Sequence, residues 1–373
     1  MIALCEPCLD GNARQYLNDC LDSTFVSSVG PFVDRFEKEF AVAVGSPYAI
    51  ACACGTAAIH LALIACGVGP GDLVLTSDFT FIATANPIRY QQAQAAFIDS
   101  ETVSWNLDPK LLVQALDDLA REGRLPKAVL AVHILGQPAD LGPIVAACER
   151  HGVPLIEDAA EALGAGYTAD YPYASCAGKQ VGTIGRIGCF SFNGNKIITT
   201  GGGGMMTTAD PVLAKKLKHL STQAKLPGLA FVHDEVGYNY RLTNLAAALG
   251  VAQLERLPEF IARKHRIAQR YRELCAKKGW EYHPVLPGTA PTCWLASALV
   301  GPRRDAILDT LTKAGIGARP LWMPVAHQVK FQGSRRWGGA VAERLAAEGL
   351  SLPCSAGITE AQLDQVITAL EGC

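Results

Sequence analysis

Along the first two thirds of the chain, short apolar runs alternate with segments of helical period. Ala58, Leu61, Ala62 and Ala65 recur at i, i+3, i+4 and i+7, which predicts a helix over 56–66. The glycines and proline at 67–71 end it. Leu73–Thr76, Ala96–Asp99, Ala128–Val132 and Pro154–Glu157 read as buried strands. Between the last two, Asp140 is the expected N-cap of a helix that runs to His151 and stops at Gly152. Strands separated by helices of this length predict a parallel sheet with both faces covered. Ligands of such sheets sit beyond the carboxyl ends of the strands, and Asp158 stands at one of those ends.

The pattern changes near residue 255. Residues 256–277 predict a long charged helix, followed by Pro284, Pro287, Gly288, Pro291 and shorter elements. The expected division is a large domain over 1–255 and a smaller C-terminal α+β domain over 256–373. At 373 residues and 49% hydrophobic content, the chain is long and apolar enough for a large core.

With 33 basic and 35 acidic side chains the formal net charge is −2, which removes any electrostatic reason to expect nucleic acid or an anionic membrane. A bound phosphate must therefore be held by a local site. No run is apolar enough to span a membrane, and Met1–Glu6 lacks the basic region of a secretory signal. The 13 cysteines lack zinc-ligand spacing. Cys5 and Cys8 form a C-x-x-C with no thioredoxin-like surroundings, so reduced thiols in a cytoplasmic protein are expected.

The candidate chemistry centres on Lys196, at the end of the run Ser191-Phe192-Asn193-Gly194-Asn195-Lys196 and ahead of Gly201–Gly204. Asp158 lies upstream. An amine able to form an imine and an acid able to hold a pyridinium nitrogen are the two parts that pyridoxal phosphate chemistry needs. Cys54-Gly55-Thr56-Ala57-Ala58 opens the first helix and reads either as a phosphate cup or as a turn with Thr56 as N-cap. Phe81 can stack on a flat cofactor or pack in the core. Asp158 and Glu161 share a face if a helical turn begins there; otherwise Asp158 can be an N-cap. Gly237–Thr243 offers Asn239 and Arg241 to a phosphate or substrate, or is a loop ending in an N-cap.

In this order the segments resemble the DegT/DnrJ/EryC1/StrS family of nucleotide-sugar aminotransferases. The resemblance runs from Val26–Gly30 through Gly55–Leu63, Phe79–Asn86, Trp105–Pro109, Glu157–Glu161, Gly188–Lys196 and Gly237–Thr243 to Leu352–Ser355. It implies an α/β, aspartate aminotransferase-like fold (fold type I), with a mostly parallel sheet in the large domain and pyridoxal 5′-phosphate as cofactor. It implies that Lys196 binds the cofactor as an imine and shuttles the proton, that Asp158 partners the pyridine nitrogen, and that Glu161 lies near the phenolic oxygen. Gly55, Thr56, the Ala57 N–H and Ser191 would contact the phosphate, and Phe81 would stack on the ring. Asn239 would complete the phosphate site of a second subunit, which implies a homodimer with shared active sites.

The amino donor implied is L-glutamate. The acceptor implied is a nucleotide-linked 4-keto-6-deoxy sugar. Residues 193–204, 221–225, 232–241 and 318–322 are most similar to the subgroup acting on UDP-linked N-acetylated sugars. Arg241, Arg319, Trp322 and His327 are the candidate substrate contacts; Trp322 reads equally well as packing between the domains. The alternatives are a GDP-perosamine synthase-type enzyme and, in a different class, a non-catalytic binding or regulatory protein. Three features depart from the family pattern: Cys54 in the cup, Arg186 in place of an aspartate near the site, and an insertion over 168–178.

Overall fold

The computed structural model describes all 373 residues. The strands are β1 (Tyr48–Cys52), β2 (Leu73–Ser77), β3 (Gln94–Ile98), β4 (Ala128–Val132), β5 (Leu155–Asp158), β6 (Gly166–Tyr167), β7 (Ile187–Ser191), β8 (Gly204–Thr208), β9 (Glu281–Tyr282), β10 (Thr289–Ala290), β11 (Ala296–Leu299), β12 (Arg319–Pro320), β13 (Arg336–Trp337) and β14 (Gly349–Leu352). Eight form one sheet in the order β1-β8-β7-β5-β4-β2-β3-β13. β8 alone runs against its neighbours, pairing antiparallel with both β1 and β7, so the sheet is mostly rather than wholly parallel.

Both faces of this sheet are buried, for a reason visible in each strand. On β4, Val129 and Ala131 enter one apolar cluster while Ala128 and Leu130 enter the other. Successive side chains point to opposite faces, so a strand covered on both sides must be apolar throughout. Helices supply the cover, among them Gly55–Ala65, Pro109–Arg121 and Leu141–His151. The last ends at Gly152 in the left-handed region (φ 66°), as expected.

Asp140 does not cap that helix. Its carboxylate accepts the Tyr171 hydroxyl instead, and the Tyr171 oxygen accepts the Gly142 N–H at 3.3 Å. The phenol from the 168–178 segment thus does the work expected of Asp140. No turn of sequence near 140 could reveal this.

A second, antiparallel sheet follows the order β12-β14-β11-β9. The helix Leu257–Lys278 precedes it and is ended by Gly279 at φ 67°. Its Phe260, Ile267, Tyr271 and Leu274 are buried. Two crossings tie the C-terminal part to earlier segments. β13 pairs with β3 at the edge of the large sheet, and the Leu4 carbonyl accepts the Cys354 N–H at 2.8 Å. No helix is long and apolar enough to cross a membrane.

Candidate active site

The carboxyl ends of β5 and β7 deliver Asp158 and Ser191 to one cavity of about 450 Å³. The amino end of the helix Gly55–Ala65 meets them there, with Gly55 and Thr56 in the wall. Lys196, Glu161, Phe81, Arg319 and Trp322 complete the set of predicted residues in the lining.

Asp158 is 4% exposed. One carboxylate oxygen accepts the Thr84 hydroxyl at 2.8 Å and the other accepts the Ala160 N–H at 3.1 Å. Burial pushes this carboxyl above its ordinary value, while these two hydrogen bonds and the charge of Lys196 pull it back. A cationic ring nitrogen brought to it would reverse the penalty of burial. No helical turn starts at Asp158: the chain continues in turns to Ala165, so Asp158 is neither an N-cap nor a helical neighbour of Glu161.

Glu161 reaches the cavity through those turns and is pinned by the Leu135 N–H at 2.7 Å. Its Oε1 lies 3.7 Å from Lys196 Nζ. Burial raises the Glu161 carboxyl to about 7, with Lys196 opposing. On its other side, the Lys196 ammonium lies 3.8 Å from the centroid of the Trp294 ring. The Trp294 indole N–H donates to the Asn195 carbonyl at 2.6 Å, so the same side chain holds the backbone that carries the lysine.

The cup is built by close approach. A Cβ on Gly55 would lie 2.7 Å from Ser191 Cβ, so glycine is required for helix and strand to meet. The N-cap is Cys54, not Thr56: the Cys54 sulfur accepts the Ala57 N–H at 3.4 Å. That leaves the Thr56 and Ser191 hydroxyls facing the cavity at a helix amino terminus, where the positive end of the helix dipole favours an anion. The Ala57 N–H, expected at the phosphate, is engaged by sulfur and does not line the cavity.

Beneath the site, Glu157 is fully buried and accepts hydrogen bonds from Gly182 N–H, Ile184 N–H and the His133 ring. His133 Nδ1 accepts the Ala139 N–H, so Nε2 carries the proton given to Glu157. Burial works against the charged form, but His133 and the backbone donors overcome it and hold Glu157 below the usual carboxylate range. This network fixes the end of β5 from behind.

Phe81 is 50% exposed and meets Trp322 at 6.3 Å, leaving a ring face open at the rim. Trp322 packs on Phe79 and stacks on Trp294 at 6.4 Å, so it both lines the cavity and packs in the interior. Two predicted substrate contacts, His327 and Arg241, lie outside this cavity, as does Asn239, which was expected at the site of a second subunit. His327 sits beside Arg336 and Glu343, 3.4 Å from each, outside the cavity. Asn239 is exposed on the loop before Thr243, bridged to Thr222. Arg241 is half-buried, its Nε without a partner, and also lies outside the lining. Arg186, expected near the site, is exposed at the opposite end of β7 from Ser191. None of residues 168–178 lines the cavity.

Sequence reasoning missed Trp294 and Thr84. Thr84 lies within the run 79–86 and was legible as a polar residue there. Trp294 gives no local signal, because it meets Asn195 across 99 positions of chain.

An amine between an acid and an aromatic face, a buried carboxyl and a hydroxyl-lined helix terminus fit pyridoxal phosphate, and this site is that of a pyridoxal phosphate-dependent aminotransferase of fold type I. The chain belongs to the DegT/DnrJ/EryC1/StrS aminotransferase family, whose model matches residues 7–371, and it is a sugar aminotransferase. It is similar to EpsN of Bacillus subtilis, provisionally named a pyridoxal phosphate-dependent aminotransferase (41% identical, covering 99% of this chain and 95% of the relative). It is also similar to the GDP-perosamine synthase of Caulobacter vibrioides (40% identical, 99% of this chain and 97% of the relative). Among solved structures, a family aminotransferase from Brucella abortus superimposes with a TM-score of 0.89 at 29% identity, over 97% of this chain and 95% of that one.

Proposed function

We propose that this enzyme moves the amino group of L-glutamate to the C4 ketone of a nucleotide-linked 4-keto-6-deoxy sugar, with a UDP-linked N-acetylated sugar as acceptor. The observation that carries the reaction is the placement of Lys196 against Glu161 and Trp294, in one cavity with Asp158. The cofactor, when bound, supplies a conjugated ring that accepts the electron pair left at Cα of the amino acid. Asp158 holds the proton at the ring nitrogen. Lys196 Nζ holds the cofactor in the resting enzyme, and the freed amine takes the Cα proton of glutamate. In the second half of the cycle it delivers a proton to C4 of the sugar. Thr56 and Ser191 hold the phosphate, Phe81 covers the ring, and Glu161 with Trp294 steers the lysine between positions. Arg319 at the rim is the donor for the diphosphate.

The UDP reading is supported by the segments 221–225, 232–241 and 318–322. A GDP-linked sugar is the second reading, supported by relatives named GDP-perosamine synthase at 40% and 37% identity. The proposed assembly is a cytoplasmic homodimer. Exposed Leu229, Phe231 and Val236, next to the exposed Asn239, support a second protomer covering this loop. The two domains proposed are 1–255 and 256–373.

A panel of ketosugars tests the acceptor. With glutamate in excess, the UDP N-acetylated sugar is converted to a 4-amino product and the GDP sugar is not. Conversion of the GDP sugar alone overturns the UDP reading in favour of the second.

A further inference from the structure

Lys264 is 2% exposed, on the helix Leu257–Lys278, and none of its hydrogen-bond partners is a carboxylate. Its Nζ donates to the Trp294 carbonyl at 2.9 Å and lies 3.5 Å from Cys5 Sγ and 3.6 Å from Cys354 Sγ. A buried ammonium without a counter-charge is expensive, and among these partners only a thiol can become an anion. Cys354 is 1% exposed, whereas Cys5 is half-buried. Leu4, the neighbour of Cys5, lines the active-site cavity, so the N-terminal segment lies within reach of small solutes. The backbone already joins the two cysteines' segments, through the Leu4 carbonyl and the Cys354 N–H.

We propose that Cys5 is a modification site: a nucleophilic sulfur activated by Lys264, which hydrogen peroxide oxidises and Cys354 resolves into a Cys5–Cys354 disulfide. The neighbouring Cys354 thiol, which shares the Lys264 ammonium with Cys5, and then the charge of Lys264 lower the Cys5 thiol well below its ordinary value against the effect of burial. The Cys354 thiol is driven in the opposite direction by the same pairing. The Cys5 thiolate attacks one peroxide oxygen, the O–O bond breaks and hydroxide leaves, to be protonated to water. Cys354 then attacks the sulfenic sulfur, its proton leaves with the hydroxyl as a second water, and the S–S bond forms. Two electrons pass from the two thiols to one peroxide. The site is coupled to the catalytic wall, because the Cys5 thiol donates to the Asn195 carbonyl at 3.2 Å, next to Lys196, a bond that ionisation or oxidation of Cys5 breaks. The other half of the C-x-x-C takes no part: Cys8 Sγ faces Asp10 at 3.2 Å.

The test uses the cofactor-loaded full chain at neutral pH. Limiting iodoacetamide followed by peptide mass mapping should label Cys5 about tenfold faster than the half-buried Cys8 and the exposed Cys54. Peroxide, applied to a separate unlabelled sample, should yield a protein two hydrogens lighter, with a Cys5–Cys354 cross-linked peptide that dithiothreitol reverses. Lys264→Met should lose the preference for Cys5; should it fail to fold, Cys8→Ser serves as the second variant and must keep both the fast label and the cross-link. Labelling of Cys54 or Cys8 ahead of Cys5, or oxidation that leaves no Cys5–Cys354 peptide, overturns the proposal.

Discussion

Lys196 stands over the face of Trp294, its Nζ 3.8 Å from the ring centroid, while the Trp294 indole N–H holds the Asn195 carbonyl one residue away. One side chain thus fixes both the charge and the backbone of the catalytic amine. A cation–π contact of this kind contributes about 0.5–2 kcal/mol.

Trp294→Leu should therefore lower kcat/KM for glutamate by roughly 3–30-fold, since each ~1.4 kcal/mol is tenfold. Steady-state kinetics with saturating cofactor measure it. Unchanged kinetics would show that Trp294 is packing alone.

Glu161 makes the folded protein's stability depend on pH. Its carboxyl is raised from 4.5 to about 7, chiefly by burial. The folded state binds the proton more tightly than the unfolded state does. Stability from this group is therefore fully present below about 4.5 and is lost as the pH rises through about 7. The loss is on the order of 3 kcal/mol. Denaturant melts of the cofactor-free protein should show the wild type losing stability relative to Glu161→Gln between these values. Parallel profiles for the two would remove Glu161 as the titrating group.

Gly55→Ala should close the cup. The new Cβ would lie 2.7 Å from Ser191 Cβ, and relieving such overpacking costs about 1–3 kcal/mol. Cofactor binding should weaken by roughly 10–100-fold, read by absorbance titration of the stripped protein. Wild-type affinity would mean that helix and strand separate freely.

Much of this arrangement was legible in the sequence. The two-sided apolar runs of β2 to β5, and the acid at the end of β5, follow from local periodicity and spacing. What was not legible depends on contacts far apart in the chain. Tyr171 takes over the helix terminus expected of Asp140 because the 168–178 segment folds back onto it. β8 returns antiparallel beside β7 across the connection 192–203, which carries Lys196 and forms no crossover helix. His327 was expected at the substrate but packs beside Glu343, and Trp294 was not expected there at all.

The most direct measurement follows the nitrogen. Wild type and Lys196→Ala, each loaded with cofactor, are incubated with nitrogen-labelled L-glutamate and the UDP-linked 4-keto-6-deoxy N-acetylated sugar, and the sugar product is weighed by mass spectrometry. The wild type should give labelled 4-amino sugar and the variant none above background. Label in the variant's product at the wild-type rate would remove Lys196 from the reaction.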